Sequence, residues 1–201
     1  MSMSVSLPRY GRGAENFGID AKRFARIEIN SINRAGRRIK RDLLVEPMSA
    51  ATGVKKAIFN DRIRFRTATS NIPEGRIVPS GRGIPARSFR HRPSEPDSTG
   101  TRARIVVAWW NGEKVAAGFI NPLSRRRLPL ATRSEKARPI HAHTKVPWIR
   151  SYRYWWGPVP QDAQAPSAAS LFGAMMDDSR HALAADILVE EFNIDLDKVL
   201  F

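Results

Sequence analysis

The sequence predicts an α+β fold in which N-terminal helices pack on a mostly antiparallel β-sheet, followed by a Pro-rich linker and a C-terminal amphipathic helix. Three observations predict it. Apolar residues recur at helical spacing after Asp20, they alternate with Arg from Arg62 onward, and they return to helical spacing after Ser167. We therefore divide the chain into an extended N-terminal arm at residues 1–19, an α+β body at 20–160, and a linker with an acidic C-terminal helix at 161–201.

The first 19 residues are rich in Ser, Gly, Pro and Arg, so we expect an extended arm that orders only against a partner. A long helix is predicted to begin after Asp20, which suits an N-cap, and to stop at Pro47. Its apolar stripe comprises Phe24, Ile27, Ile32, Ala35, Ile39 and Leu43. A second short helix is predicted at residues 50–60.

The middle of the chain has the pattern of strands. Ile63 and Phe65 alternate with Arg, which is typical of a strand with one basic, solvent-facing side. Residues 91–101 are predicted to form a loop. Two apolar runs on either side of Asn111-Gly112 predict a β-hairpin, because this dipeptide favours the tight turn that joins two strands.

The end of the chain is acidic, whereas the rest is strongly basic. Residues 161–201 hold eight acids and two bases, a formal charge of −6, which leaves +21 on residues 1–160. A Pro, Gln and Ala linker is predicted to run to Pro166, followed by a helix at 167–192 whose acids cluster towards its C-terminal end. Because that placement opposes the helix dipole, we expect an external basic partner, such as the body of a neighbouring copy. A solvated acidic helix is the alternative.

Two groups of residues are candidates for an interaction surface. Basic residues on the first helix and in a later loop are expected to face DNA or an acidic neighbouring protein ring, with a solvated face as the alternative. These are Arg37, Arg38, Lys40, Arg41, Arg125, Arg126 and Arg127. Aromatic residues before Gly157 are expected to lie in the core or in a protein interface, and stacking on nucleic-acid bases is the alternative. These are Trp148, Tyr152, Tyr154, Trp155 and Trp156.

Catalytic and cofactor chemistry is not predicted. The chain has no Cys, which excludes disulfides, thiolate metal sites and Cys nucleophiles. Its two Gly-Arg-Gly stretches lack the third glycine of a phosphate-binding loop, and no acid stands near His141 and His143 to complete a metal site. We expect a protein that is not an enzyme and holds no cofactor or metal. No apolar run reaches the length of a membrane span, and the start lacks the apolar core of a signal peptide, so we expect synthesis in a cytoplasm and no membrane partner.

Several short motifs follow one another along the chain, at residues 25–38, 52–58, 84–89, 104–110, 118–120, 138–140 and 157–160. Their order resembles the minor tail protein Z family of tailed bacteriophages, whose members complete the tail. The resemblance covers roughly residues 20–192 and departs from the family in a heavier aromatic run before Gly157 and in about ten loop residues after Arg90.

This resemblance implies a virion protein at the head-proximal end of the tail, in the neck, which is needed for head–tail joining and DNA delivery. The implied partners are a tail tube or tail terminator protein and the head–tail connector, with assembly into a homo-oligomeric ring and non-specific contact with genomic DNA in the channel. Before assembly the protein would reside in the host cytoplasm. A sequence-independent nucleic-acid-binding protein is the rival interpretation, because Arg-rich strand faces can also neutralise phosphates.

Overall fold

The computed structural model of the chain shows an α+β fold. It describes residues 2–6, 20–96, 98, 100, 102–125, 127–130, 141–142, 157–158 and 163–200, with the backbone alone at 141–142, 157–158 and 200. The described residues form four helices and several small, mostly antiparallel sheets. Two compact units are present. The first comprises the described parts of Met1–Ser49, Lys56–Gly81 and Ala168–Phe201, and the second those of Ala50–Lys55 and Arg82–Ser167.

The longest helix, α1, is built from three consecutive helical segments. It consists of α-helical Ala21–Ile39, a π-helical turn at Lys40–Val45 and α-helical Glu46–Thr52. The carboxylate of Asp20 accepts hydrogen bonds from the backbone N–H groups of residues 22 and 23 at 3.1 and 3.2 Å, which confirms the predicted N-cap. The predicted apolar stripe is also buried, except for Leu43, which is half-buried.

Pro47 does not end α1, contrary to the sequence prediction. Proline has no N–H, and its ring clashes with the carbonyl one helical turn earlier, which here belongs to Leu43. The π-helical turn just before Pro47 changes the local hydrogen-bond spacing, and the Leu43 carbonyl accepts a hydrogen bond from Nη1 of Arg180 at 3.2 Å. The helix can therefore pass through Pro47. It ends at Thr52, before Gly53 with a φ of +76°, and the second predicted helix follows as α2, Lys56–Arg62.

A three-stranded antiparallel sheet packs against α1. Its strands are β1, Met3–Val5, β2, Ile63–Arg66, and β3, Gly75–Pro79, with β3 in the centre. The prediction that the N-terminal arm orders only against a partner is wrong for β1, because these residues pair with β3 and bury the side chain of Val5. Residues 7–19 lie outside the described residues.

The inner face of this sheet meets α1 through the ring of Phe65. The ring lies against both Gly36 of α1 and Gly75 of β3. A Cβ atom added to Gly36 would lie 2.2 Å from Cζ of the ring, and one added to Gly75 would lie 3.0 Å from Cε2. The absence of side chains at these two glycines therefore lets the sheet approach the helix closely.

The C-terminal helix is divided in two, where the sequence predicted one helix. The parts are α3, Ala168–Met175, and α4, Asp178–Leu200. The side chain of Asp177 accepts hydrogen bonds from the hydroxyl of Ser179 at 2.8 Å and from the backbone N–H of Arg180 at 2.9 Å. This cap begins a new helix. The sequence prediction missed the break between α3 and α4 because apolar residues recur at helical spacing on both sides of it. The long helix α4 packs on α1 within the same unit.

The second unit contains a sheet built on the predicted hairpin. Strand β6, Ala103–Trp109, is paired on one side with β7, Gly112–Ile120, and the turn residue Asn111 has a φ of +58°. On its other side β6 pairs with β5, His91–Pro96, so the prediction of a loop over these residues is wrong. The proline content suggested a loop, but prolines are tolerated in an edge strand, where an N–H is not needed on the outer side.

Part of the predicted linker is also a strand. A strand at Gln164–Ser167 pairs antiparallel with β4, Gly83–Pro85, with an irregularity between Ala165 and Ser167. The backbone of His141–Ala142 forms β8, which pairs in parallel with β9, Gly157–Pro158, so the strand at Gln164–Ser167 is β10. The prediction of a linker is wrong for these residues because a segment rich in Pro and Ala gives no local sign of β-strand pairing with a strand that is distant in the sequence.

Candidate interaction surfaces

Ion pairs and hydrogen bonds among the described residues join α1 to α4. The Nε atom of Arg34 donates a hydrogen bond to Oε2 of Glu191 at 3.0 Å, and its Nη2 forms an ion pair with Asp195. Asp195 also accepts a hydrogen bond from the hydroxyl of Ser31 at 3.0 Å, and Nζ of Lys198 lies 3.6 Å from its other oxygen. Both helices therefore supply partners to one buried carboxylate.

The electrostatics of Asp195 follow from these contacts. Its burial, the largest single influence, favours the neutral acid, but the hydrogen bonds from Arg34 and Ser31 together with the charges of Arg34 and Lys198 outweigh it, so the pKa of Asp195 lies below its ordinary value of 3.8. The same contacts raise the pKa of Arg34, led by the hydrogen bond to Asp195. Asp195 is thus a stabilising anion at neutral pH.

Arg38 extends this contact by one turn of α1. Its Nη1 atom lies 2.8 Å from Oε2 of Glu190 and 3.2 Å from Oε1 of Glu191. The charge of Arg38 is therefore matched within the chain, while its contact with an external partner stays a prediction. Glu190, Glu191 and Asp195 of the C-terminal helix in turn have basic partners on α1, and an external basic partner for that helix stays a prediction.

The other predicted bases of α1 differ from one another. Nζ of Lys40 donates a hydrogen bond to the backbone carbonyl of Asn60 at 3.2 Å, and burial lowers its pKa. The exposed Arg41 forms an ion pair with the adjacent Asp42, which raises the pKa of Arg41 and lowers that of Asp42. Arg37 is exposed and has no ion-pair partner among the described residues. Of the four, Arg37 alone is thus exposed and without an ion-pair partner in the described part of the chain.

The second predicted basic cluster lies after β7, in the second unit. Arg125 and Arg127 are exposed, and Arg127 has a φ of +43°, while Arg126 lies outside the described residues. Leu123, in the same loop, is 74% exposed. All the predicted interface aromatics also lie outside the described residues, namely Trp148, Tyr152, Tyr154, Trp155 and Trp156. Their predicted role stays a prediction.

A further basic group lies on the outer face of the three-stranded sheet, opposite the side that packs on α1. Arg64 and Arg66 of β2 and Arg76 of β3 are all exposed, and Arg66 stands directly opposite Arg76 in the strand register. We call these three residues the basic sheet face. The alternation of Arg with Ile63 and Phe65 had predicted a basic strand side, but the position of Arg76 beside Arg66 depends on strand pairing and could not be predicted from spacing.

One acidic side chain lies beside the basic sheet face. Oε1 of Glu74 is 3.3 Å from Nη2 of Arg76, and hydrogen bonds from Ser4 and Arg76 lower its pKa. Arg64 and Arg66 have no ion-pair partner within the described ranges. The sheet face therefore keeps a net positive charge, because one carboxylate is set against three guanidinium groups.

Comparisons with protein-family models, with curated proteins and with solved structures found no match to this chain. Within the described residues, no group of three or more His, Asp or Glu side chains is placed to hold a metal ion. No helix in that part of the chain is long and apolar enough to cross a membrane.

Proposed function

We propose that the protein is a structural component of a tailed-phage virion, which completes the tail at its head-proximal end and is needed for head–tail joining and DNA delivery. The observation that carries this proposal is where the residues of the resemblance lie in the fold. Many of them form its buried framework, namely Ile27, Ile32 and Ala35, Thr52 and Val54, Ile84, Ala86 and Phe89, Ile105 and Val107, and Phe119 and Ile120. The residues that carry the resemblance are thus largely core residues, and structural proteins of one family are expected to share their core.

The contact between α1 and α4 supports the same role. An assembly component presents a fixed shape to its neighbours, and the ion pairs of Arg34 and Arg38 with α4 fasten the two longest helices of the first unit to each other. Exposed bases of the first unit that have no ion-pair partner among the described residues, such as Arg37, Arg64 and Arg66, are suited to polyanions or to acidic protein. The partners in this proposal are a tail tube or tail terminator protein and the head–tail connector.

Assembly into a ring is part of the proposal. Because tails have rotational symmetry, a component that caps one end is expected to repeat around the axis through an interface that closes. The acids Asp186 and Asp197 of α4 have no ion-pair partner on α1 among the described residues, and they remain available to a basic surface of a neighbouring copy. In the proposal, the external basic partner first expected for the whole acidic helix therefore contacts exposed acids such as these.

The second candidate function is sequence-independent binding of nucleic acid outside a virion. The basic sheet face favours it, because three exposed Arg residues on adjacent strands suit a phosphate backbone irrespective of base sequence. The two functions differ in what loss of the gene would do. A tail-completion protein is needed after heads and tails have formed, whereas a free nucleic-acid-binding protein would act on replication or expression.

The experiment that tests the proposal deletes the gene from the phage genome that encodes the chain. We expect normal DNA synthesis, with DNA-filled heads and tails that accumulate without joining. Adding the purified protein to such an extract should restore infectious particles, and an extract without the addition is the control. A wild-type yield of infectious particles from the deletion contradicts the proposal, and a loss of DNA synthesis favours the second candidate.

A further inference from the structure

We propose that the basic sheet face, Arg64, Arg66 and Arg76, binds the phosphate backbone of double-stranded DNA without reading its sequence. The proposal deepens the proposed function, on which it rests for the identity of the DNA as the genome that passes the tail. It places the DNA contact on the outer side of the sheet formed by β1, β2 and β3, whereas the sequence predicted it on the first helix and in the loop that holds Arg125, Arg126 and Arg127.

The geometry of the sheet brings the three charges together. Arg64 and Arg66 are two residues apart on β2, so they project from the same side and are about 7 Å apart. Arg76 stands opposite Arg66 on β3, about 5 Å away across the strands. Three guanidinium groups at this spacing can contact neighbouring phosphates of one DNA strand, and each can form paired hydrogen bonds with phosphate oxygens.

The arrangement carries a cost for the free protein. Like charges directly opposite each other on neighbouring strands destabilise a sheet, and Arg66 has no carboxylate partner among the described residues. Glu74 pairs with Arg76 alone, at 3.3 Å. An anionic partner that covers both Arg66 and Arg76 would remove this repulsion.

The composition of the face favours nucleic acid over an acidic protein. Its described outer positions are Ser4, Arg64, Arg66, Arg76 and the half-buried Val78, so it offers no large apolar or aromatic side chain. Protein interfaces are usually centred on buried aromatic or apolar anchors, whereas protein–DNA interfaces are more polar and much more positive. This face is of the second kind.

The test measures binding of the purified full-length protein to two fluorescently labelled duplexes of unrelated sequence, each about 20 base pairs long, between about 50 and 200 mM salt. We expect similar affinities for the two duplexes. The triple substitution Arg64→Gln, Arg66→Gln and Arg76→Gln should make the negative slope of log affinity against log salt shallower by about 2–3. The reason is that each lost phosphate contact removes about 0.9 from its magnitude.

A matched control removes the same charge from elsewhere in the first unit. Lys22, Arg23 and Arg26 of α1 are exposed and have no ion-pair partner among the described residues, so the triple change to Gln at these positions equals the first in net charge. It should leave most of the slope intact. Equal losses from both triple variants, or a larger loss from the control, would overturn the proposal.

A single substitution separates binding from folding. Arg66→Glu places opposite charges across the strands at Arg76, so it should raise the melting temperature of the free protein while weakening DNA binding more than Arg66→Gln. A lowered melting temperature contradicts the repulsion on which the proposal depends.

The binding measurements need no phage particle, so they test the inference separately from the proposed function. Unchanged DNA binding by the triple sheet variant overturns the inference and leaves the proposal of tail completion untouched. If that variant binds DNA normally yet its tails fail to join heads, the partner of the face is an acidic protein instead.

Discussion

Arg34 of α1 and Asp195 of α4 form an ion pair that fastens the C-terminal helix of the chain to its N-terminal helix. Glu190 and Glu191 add two more carboxylates to the same contact through Arg34 and Arg38. The sequence shows a basic body and an acidic C-terminal end, and part of these opposite charges therefore pair with each other within one molecule. The positive charge that can still bind other molecules is smaller than the formal charge of residues 1–160 suggests, and it includes exposed bases such as Arg37, Arg64 and Arg66.

The first prediction concerns the strength of this contact. Asp195→Asn should lower the free energy of unfolding by about 1–3 kcal/mol, because the substitution removes a charged acceptor from a buried hydrogen-bonded group. Asp186→Asn, at an exposed position of the same helix, should change it by less than about 0.5 kcal/mol. Urea denaturation measures both variants. Combining Asp195→Asn with Arg34→Gln should give a loss that differs from the sum of the single losses by at least about 0.5 kcal/mol, and strict additivity would show that the pair contributes nothing.

The second prediction is the dependence of this contribution on pH. The pKa of Asp195 is lowered in the folded protein, so its stabilisation is fully present above the pKa of the unfolded chain and is lost as the pH falls through the folded value. The free energy of unfolding should therefore decline below about pH 5. The decline should be shallower in Asp195→Asn than in the parent protein. The raised pKa of the half-buried Glu28 acts in the opposite direction in both proteins, so it cancels in the comparison. Parallel pH curves would contradict the prediction.

The third prediction tests the close approach of the sheet to α1. Gly36→Ala adds a methyl group where the ring of Phe65 already lies, so overpacking should outweigh the better helix propensity of Ala and destabilise the protein by about 1–2 kcal/mol. Gly81→Ala is the matched control, because nothing lies within 4 Å of the added Cβ atom. It should be neutral or slightly stabilising. If thermal melting shows no difference between the two variants, the packing of Phe65 on Gly36 is wrong.

The fourth prediction concerns the passage of α1 through Pro47. Arg180→Ala should lower the free energy of unfolding by about 1 kcal/mol, since it removes the hydrogen bond to the Leu43 carbonyl. Pro47→Ala supplies an N–H one turn after Leu43, so the loss caused by Arg180→Ala should be smaller in that background. An equal loss in both backgrounds would show that Arg180 does not act through this carbonyl.

Local patterns predicted much of the fold. The N-cap at Asp20, the apolar stripe of α1 and the hairpin at Asn111 depend on neighbouring residues, and each is confirmed. Strand β5 and strand β10 were missed, because their pairing with β6 and β4 depends on residues distant in the sequence. Proline content led to the wrong prediction at both of these strands, where a loop and a linker were expected, and at Pro47, where the helix was expected to end.

The candidate surface shows the same division. Helical spacing identifies which bases of α1 project outward, but it cannot identify which of them meet carboxylates of another helix. Arg38 was chosen with Arg37 for this reason, although only Arg38 is neutralised by α4. The basic sheet face needed the register between β2 and β3, which pairs Arg66 with Arg76.

The measurement that tests the central claim most directly is the position of the protein in purified particles. If the proposed function holds, a small peptide tag labelled with gold and viewed by electron microscopy would give that position in virions of a tailed phage that carries the gene. The account predicts label at the head-proximal end of the tail, together with recovery of the protein from purified tails by mass spectrometry. Tails without the protein, or label confined to the distal tip, would contradict it.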